Sequence, residues 1–306
     1  MARFAVTGGC GFVGSHLVDA LIARGDRVRV LDDLSAGKCE NLNPEAELDV
    51  GSVTDADAVR RVVAGCDGVF HLAAVASVQR CNEAWRDSHL VNLAGSVTVL
   101  EAARDVGRIP VVYASSAAVY GDNANTPLKE TEPPRPLTAY GVDKYGSELH
   151  AGVAGRIHGV PSFGLRFFNV FGPRQDPSSP YSGVISIFAA RMAVGRDITI
   201  HGDGGQTRDF VHVDDVAGHL LSGMTAADVA APVANVCTGT GTSVLQLAEA
   251  LRLLTGYRGA IGHGPARAGD IRISVGDPSF AISRLKRRAT VGLQEGLSGL
   301  LANGAR

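Results

Sequence analysis

Several things are scarce or missing, and each absence narrows the field. The 306-residue chain has only five cysteines, at 10, 39, 66, 81 and 237, an odd number without C-x-x-C spacing. That suits neither a metal knuckle nor a disulfide framework, and no metal is expected. No apolar run approaches the length of about 20 residues that a membrane-spanning helix needs. The first strand starts almost at residue 1, so no secretory leader is expected and the cytoplasm is the default compartment. Excess charge is absent too. A formal net charge of −2 offers no electrostatic basis for binding nucleic acid or an anionic membrane. There is no internal repeat and no low-complexity linker. What remains, 45% hydrophobic and 20% charged residues, is the composition of an ordinary globular protein. Its length suits one large domain, or a large one carrying a smaller one.

Glycine, by contrast, is plentiful, and its first cluster is informative. Thr7-Gly8-Gly9-Cys10-Gly11-Phe12-Val13-Gly14 follows the apolar run Phe4-Ala5-Val6 and opens an amphipathic run, Ser15 to Arg24. Strand, glycine turn and helix in that order form the context of a dinucleotide loop. Glycine permits positive φ and close approach of a ligand to the backbone, while a helix start attracts a pyrophosphate. The spacing is G-x-x-G-x-x-G rather than the commoner G-x-G-x-x-G. Taken alone, it also fits a glycine turn with no ligand. A second strand, Arg27 to Leu31, ends in Asp32-Asp33, and Asp32 stands 18 residues beyond Gly14, close to where a ribose-binding acid belongs. A carboxylate there accepts bonds from both ribose hydroxyls and repels a 2′-phosphate, so NAD is expected rather than NADP.

The alternation continues. Glu47–Val50 reads as a third strand whose Asp49 and Val50 could flank an adenine, and 55–63 as a helix. Gly68–Leu72 reads as a buried fourth strand running into Leu72, Ala73 and Ala74, small enough to let a cofactor lie close. His71 alone reads as a packed histidine. A long helix from about Ala84 to Val106 contains Asn92. Val111–Ser115 is a fifth strand, with Ser116 just beyond it, and Pro161–Phe167 a sixth. Ligands of open parallel sheets lie beyond the carboxyl ends of the strands. After Asn169 the alternation degrades into mixed short elements. The expected architecture is α/β: a Rossmann-type doubly wound parallel sheet over residues 1–168, with a smaller α/β lobe over 169–306, some of whose segments return to the sheet.

Tyr140 and Lys144 stand at i and i+4 on a helix opening near Thr138, hence on one face. A phenol near its ordinary value of about 10 is a poor base at neutral pH. A nearby ammonium and a positive nicotinamide ring would favour the phenolate, as proton removal from an alcohol requires. Ser116 could extend the relay to a substrate hydroxyl. Such a pair alone is commonly a solvated helix face. Here it follows a dinucleotide loop, a ribose acid and a strand-end serine in consistent chain order. Tyr113 and Tyr120 read as packing, and His212-Val213-Asp214-Asp215 as a helix start rather than a metal site.

Thr7–Gly14, Asp32, His71–Ala74, Ser115–Gly121 and Tyr140–Lys144 together resemble the extended short-chain dehydrogenase/reductases of the sugar-nucleotide epimerase/dehydratase family, and the resemblance spans essentially the whole chain. Arg166–Arg174, Arg208–Asp215, Asn235 and Arg267–Asp270 are the second-half counterparts. The resemblance implies catalysis by Ser116, Tyr140 and Lys144. The expected cofactor contacts are Gly8, Gly11, Phe12, Val13, Asp32, Asp33, Leu34, Ser35, Gly37, Asp49, Val50, Leu72, Ala73, Ala74, Asn92, Tyr140, Lys144 and Phe168. The expected substrate contacts are Ser77, Ser116, Tyr140, Asn169, Arg208, Arg267, Asp270 and Ser274, with the two arginines on a diphosphate.

Ala117-Ala118 follow Ser116 where the family's 4,6-dehydratases carry an Asp-Glu pair, and Ala118 stands where its UDP-glucuronate decarboxylases usually have Glu. The reaction implied is therefore 4-epimerisation of a UDP-hexose through a 4-keto sugar, with NAD held tightly and recycled within the turnover. A UDP-glucuronate 4-epimerase, with Arg80 or Arg174 meeting the sugar carboxylate, and a 4-keto-sugar reductase are the alternatives. Small Ser274, with Ser77-Val78, leaves room for an N-acetyl group, and Ala76 replaces a lysine found in several glucose epimerases. A homodimer is implied, packed through the 84–106 helix and the Tyr140 helix.

Overall fold

The computed structural model describes residues 1–176, 183–266 and 271–304. Six strands come first: β1 (Arg3–Thr7), β2 (Arg27–Asp32), β3 (Glu47–Val50), β4 (Gly68–His71), β5 (Val111–Ser116) and β6 (Ser162–Phe167). They are followed by β7 (Asn169–Phe171), β8 (Ile198–His201), β9 (Thr207–His212) and β10 (Val233–Val236). The main sheet has the order β10-β6-β5-β4-β1-β2-β3, and all of its pairings are parallel. This is the Rossmann arrangement, with the order reversing between β1 and β4. The expected return of later segments is therefore observed: β10 adds to the sheet edge beside β6.

The helices are α1 (Phe12–Ala23), α2 (Ala56–Val63), α3 (Val78–Glu83), α4 (Trp85–His89), α5 (Gly95–Asp105), α6 (Ala139–His158), α7 (Val184–Ala193), α8 (Val213–Ala226), α9 (Val244–Thr255), α10 (Ser279–Leu285) and α11 (Leu293–Gly304). The central strands are largely apolar, as strands covered on both faces should be. On one face Leu17, Val18 and Leu21 of α1 join Val216 and Leu220 of α8. On the other, Val59, Val62 and Val63 of α2 join Val99, Leu100 and Ala103 of α5. A separate cluster beyond β6 gathers Phe188 of α7, Ile198 and Ile200 of β8, Phe210 of β9 and Leu247 and Leu251 of α9.

Two details differ from the sequence reading. The expected 84–106 helix is built in three pieces, with a π-helical turn at Leu90–Ala94 between α4 and α5. The first helix starts at Phe12 rather than Ser15, so Gly14 lies inside it. A Cβ on Gly14 would meet the Gly8 carbonyl oxygen at 2.0 Å, which explains a glycine within a helix.

Candidate active site

The glycine loop joins β1 to α1 beside the point where the strand order reverses. Gly8 has φ +73, and a Cβ there would fall 2.7 Å from the Ala73 nitrogen, so loop and β4 end are in backbone contact. Thr7 holds them together: its Oγ1 accepts from Leu72 and Ala73 N–H, both at 3.2 Å. Gly11 is the N-cap of α1 and offers no side-chain bond to the first-turn N–H groups. Among the described residues, the Phe12 and Val13 amides have no partner. An uncapped helix start approached only by glycine backbone is the cradle a pyrophosphate requires.

Asp32 is buried at the end of β2. Its Oδ2 accepts from Cys10 N–H and its Oδ1 from Leu34 N–H, each at 2.9 Å. A Cβ on Gly37 would lie 2.9 Å from Asp32 Oδ1, so the glycine keeps the carboxylate approachable. Asp33 accepts from Ser35 N–H at 3.0 Å and Leu34 has φ +58. Together 32–37 form one tight turn around the acid. Asp49 pairs loosely with Arg61 at 3.6 Å, and Val50 is 62% exposed at the adjoining strand end. These groups suit the diphosphate, a ribose and the adenine of a dinucleotide.

Two expected cofactor residues also have partners within the chain. The Asn92 amide accepts from Val75 N–H at 2.8 Å and donates to Val75 O at 3.2 Å, so it braces the loop after β4. Phe168 is buried in a small core with Val119, Tyr120, Leu128 and Cys237. His71 is the packed histidine expected, with Nδ1 2.8 Å from Thr7 Oγ1 and Nε2 3.0 Å from Ser96 Oγ. Burial pushes it down to about 3.

The catalytic candidates converge from β5 and α6. Ser116 ends β5 and accepts from Ala118 N–H at 3.1 Å, starting a short 3₁₀ turn over Ala117–Tyr120. Thr138 caps α6, accepting from Gly141 N–H at 3.1 Å, and fixes the first turn that carries Tyr140. Burial pushes the Tyr140 phenol up to about 12, with the neighbouring Ser116 hydroxyl acting in the opposite direction. Lys144 lies 5.7 Å from the Tyr140 ring centroid and donates to Ala114 O at 2.8 Å. Burial lowers its ammonium to about 8. The expected lowering of Tyr140 by Lys144 is therefore not present in the chain by itself. The ammonium is bound to the strand, and the phenol's charge is opposed by desolvation.

The substrate candidates assemble less completely. Asn169 opens β7 and pairs with Phe210. Arg208 lies on β9, beside Ser274 of the short strand at Ile273–Ser274. Ser274 is buried. Ser77 caps α3 by accepting from Arg80 N–H at 3.1 Å. Arg267 and Asp270 lie outside the described residues. Arg174, a candidate partner for a sugar carboxylate, pairs with Asp19 at 2.7 Å. His212 starts α8, accepting from Asp214 N–H at 3.3 Å, as expected of a helix start.

Sequence reasoning missed the buried network beneath these groups. Arg166 donates to Glu148 at 2.9 and 2.7 Å, and Ser115 donates to the same carboxylate at 2.5 Å. The available signal was spacing, since Glu148 follows Lys144 by one helical turn.

Comparison with known proteins agrees with this geometry. The chain belongs to the NAD dependent epimerase/dehydratase family, which it matches over residues 4–237. It is 36% identical over 303 residues to a UDP-glucose 4-epimerase of Mycolicibacterium smegmatis, covering 97% of this chain and 96% of that one. Its fold superposes with a TM-score of 0.96 on a UDP-glucose 4-epimerase of Thermotoga maritima crystallised with UDP-glucose, at 38% identity over 99% of this chain and 98% of that one. It also superposes at 0.95 on a UDP-N-acetylglucosamine 4-epimerase of Methanobrevibacter ruminantium M1, at 34% identity over 99% and 98% of the two chains.

Proposed function

We propose that this chain is an NAD-dependent 4-epimerase of UDP-hexoses, acting on UDP-glucose and UDP-galactose, their N-acetyl counterparts, or both. The observation that carries the reading is the meeting of Ser116, Tyr140 and Lys144 at the carboxyl edge of β5. The turn that follows holds Ala117 and Ala118 in place of further acid–base groups. Glu148, a buried carboxylate bonded to this strand end, is already bound by Arg166 and Ser115. Oxidation and re-reduction at one carbon needs no more than these three residues, whereas expelling water from the sugar needs a second acid–base pair.

In this reading the α1 N-terminus binds the cofactor's diphosphate and Asp32 its ribose. NAD, when bound, supplies a reversible acceptor for the electrons released at carbon 4. Tyr140 takes the 4-hydroxyl proton and returns one after the sugar turns, with Ser116 aligning the hydroxyl. The phenol held up at about 12 by burial needs added positive charge to work at neutral pH, and a nicotinamide cation provides it. Proton removal is thereby tied to cofactor occupancy. Asn169, Arg208, Arg267 and Asp270 hold the nucleotide end, and the small Ser274 beside Arg208 leaves room at the sugar for an N-acetyl group. The lobes divide as 1–168 for the cofactor and 169–306 mainly for the nucleotide sugar. The pairing of Arg174 with Asp19 removes one of two cations that a glucuronate substrate would use. A homodimer in the cytoplasm completes the reading, supported by apolar residues left outside on α6, with Leu149 54%, Val153 42% and Ile157 71% exposed.

The test incubates purified protein, without added cofactor, with UDP-glucose, UDP-N-acetylglucosamine and UDP-glucuronate separately. Formation of the 4-epimer is expected from one or both of the first two. Turnover only with added NAD(P)H, leaving a reduced sugar, overturns the reading. Tyr140→Phe is expected to lower kcat by about 10²–10⁴-fold while bound NAD is retained.

A further inference from the structure

Beneath the reacting groups lies a buried ion pair that the proton chemistry does not use. Tyr140, Lys144 and Glu148 follow one another at single-turn spacing and so share one face of α6. Opposite them stand three consecutive residues of β5. Lys144 Nζ donates to Ala114 O at 2.8 Å and Ser115 Oγ donates to Glu148 Oε1 at 2.5 Å. Helix and strand are thus fastened at two points, and the Tyr140 phenol stands near the third strand residue, Ser116.

The Glu148 fastening is braced from a second strand. Arg166 of β6 is the register partner of Ser115 and grips both Glu148 oxygens, Nε to Oε1 at 2.9 Å and Nη2 to Oε2 at 2.7 Å. Both side chains are 6% exposed. The guanidinium also lies 4.7 Å from the Tyr120 ring centroid, and Tyr120 OH donates to Asn235 Oδ1 on β10 at 2.7 Å. Net stability is a poor reason to bury such a pair, because desolvation offsets most of its attraction. Fixing one register among alternatives is the better-attested use.

We propose that Glu148, clamped by Arg166 and Ser115, is a positioning residue that sets α6 against β5 and thereby holds the Tyr140 phenol at the Ser116 hydroxyl. The inference rests on the reading of Tyr140 as the base. A neutral or missing partner at 148 leaves the start of α6 tied to β5 only through the Lys144 bond, its other ties being the Thr138 cap and the bonds to Asn82 and His89. Displacement of a reacting group by about 1 Å can cost about 10²-fold in rate. Moving the phenol away from the Ser116 hydroxyl also weakens an influence that favours the phenolate, so Tyr140 would need a higher pH to work. The other groups around it stay in place: Cys81 of α3, Lys144, Asp143 of α6 with His89 of α4, and His71 of β4. Around Glu148 itself stand Arg166, Ser115 and Tyr113 of β5, and Arg166 in turn donates to the Glu130 carbonyl.

The experiment compares wild type, Glu148→Gln and Ser115→Ala, each with its resident NAD. The measurements are kcat, KM, the pH profile of kcat and melting temperature. The expected result is a fall in kcat of about 10–100-fold with KM for the UDP-hexose within about threefold, and an acid limb shifted upward by about one pH unit. Unchanged kcat per NAD-bearing site and an unmoved acid limb overturn the inference, whatever happens to the melting temperature. Should Glu148→Gln fail to fold, Ser115→Ala decides, since it deletes one hydroxyl contact and no charge. A wild type that does not epimerise defeats the functional reading instead. Ultraviolet titration of the Tyr140 phenol against Tyr140→Phe then still reports whether these substitutions raise it, as the inference requires, or leave it unmoved, which overturns it.

Discussion

Gly8→Ala isolates what the dinucleotide loop demands of its backbone. Gly8 has φ +73, and an added Cβ would sit 2.7 Å from Ala73 N and 2.9 Å from Ala73 Cα. The obstacle is backbone, already tied to the loop through Thr7 Oγ1, so it cannot swing aside as a side chain could. The left-handed conformation costs about 1–2 kcal/mol for a non-glycine residue. Overpacking adds about 1–3 kcal/mol, and stiffening of the unfolded chain returns about 0.4–1 kcal/mol. A net loss of about 2–4 kcal/mol corresponds to a melting temperature lower by about 4–8 °C at about 2 °C per kcal/mol. Gly25 provides the control, with φ +82 and nothing within 4 Å of its added Cβ, so Gly25→Ala bears the conformational cost alone. The assays are thermal unfolding and the NAD released from heat-denatured protein per mole of chain. Gly8→Ala is expected to melt below Gly25→Ala and to carry less than about a tenth of the wild-type NAD, a loss of more than about 1.4 kcal/mol in binding. Equal melting temperatures with full NAD content would refute the reasoning, because the contact between loop and β4 end would then yield without cost.

Three further perturbations follow from burial and pocket size. Lys144 is lowered from 10.5 to about 8, so between those values the unfolded chain binds more protons than the native one, and stability rises with pH across that window. Below it, the full penalty of about 3 kcal/mol is present. NAD-free Lys144→Met should therefore be inactive yet melt above wild type at pH 7, the gap closing towards pH 10.5; a gap independent of pH would contradict this. His71 is lowered from 6.5 to about 3, so stability is lost as pH falls below about 6.5, by about 2 kcal/mol at pH 5. Urea midpoints of His71→Gln should depend less steeply on pH between 6.5 and 4 than those of wild type, and parallel slopes would argue against a neutral buried imidazole. Ser274→Tyr should lower turnover of UDP-N-acetylglucosamine relative to UDP-glucose by about tenfold or more, since a bulky ring would occupy the space the serine leaves; an unchanged ratio would remove residue 274 from the sugar pocket.

How much could be read from the residues depended on how local their causes are. Asp32, Gly8 and the Thr138 helix start announce themselves within a few positions, because a turn, a positive φ or a cap is decided by neighbours in the chain. The bounds of β3 and of the strand at Val233–Val236 followed from equally local apolar runs, although which later strand returns to the sheet did not. The intrachain contacts of Asn92 and Phe168 were not legible, because bracing a loop or filling a core depends on residues 17 and more positions away, such as Val75 for Asn92. The same limit hid Glu148. Its spacing from Lys144 is that of any solvated helix face, and only the parallel pairing of β5 with β6 brings Arg166 under it. The expectation that Lys144 would lower Tyr140 failed for a related reason. Sequence spacing places two side chains on one face, but the strand beneath offered the ammonium a carbonyl closer than the phenol. The phenol is left for Ser116 and the cofactor to activate, so the geometry across the β5–α6 seam, more than the Tyr-x-x-x-Lys pattern itself, governs whether the base can work.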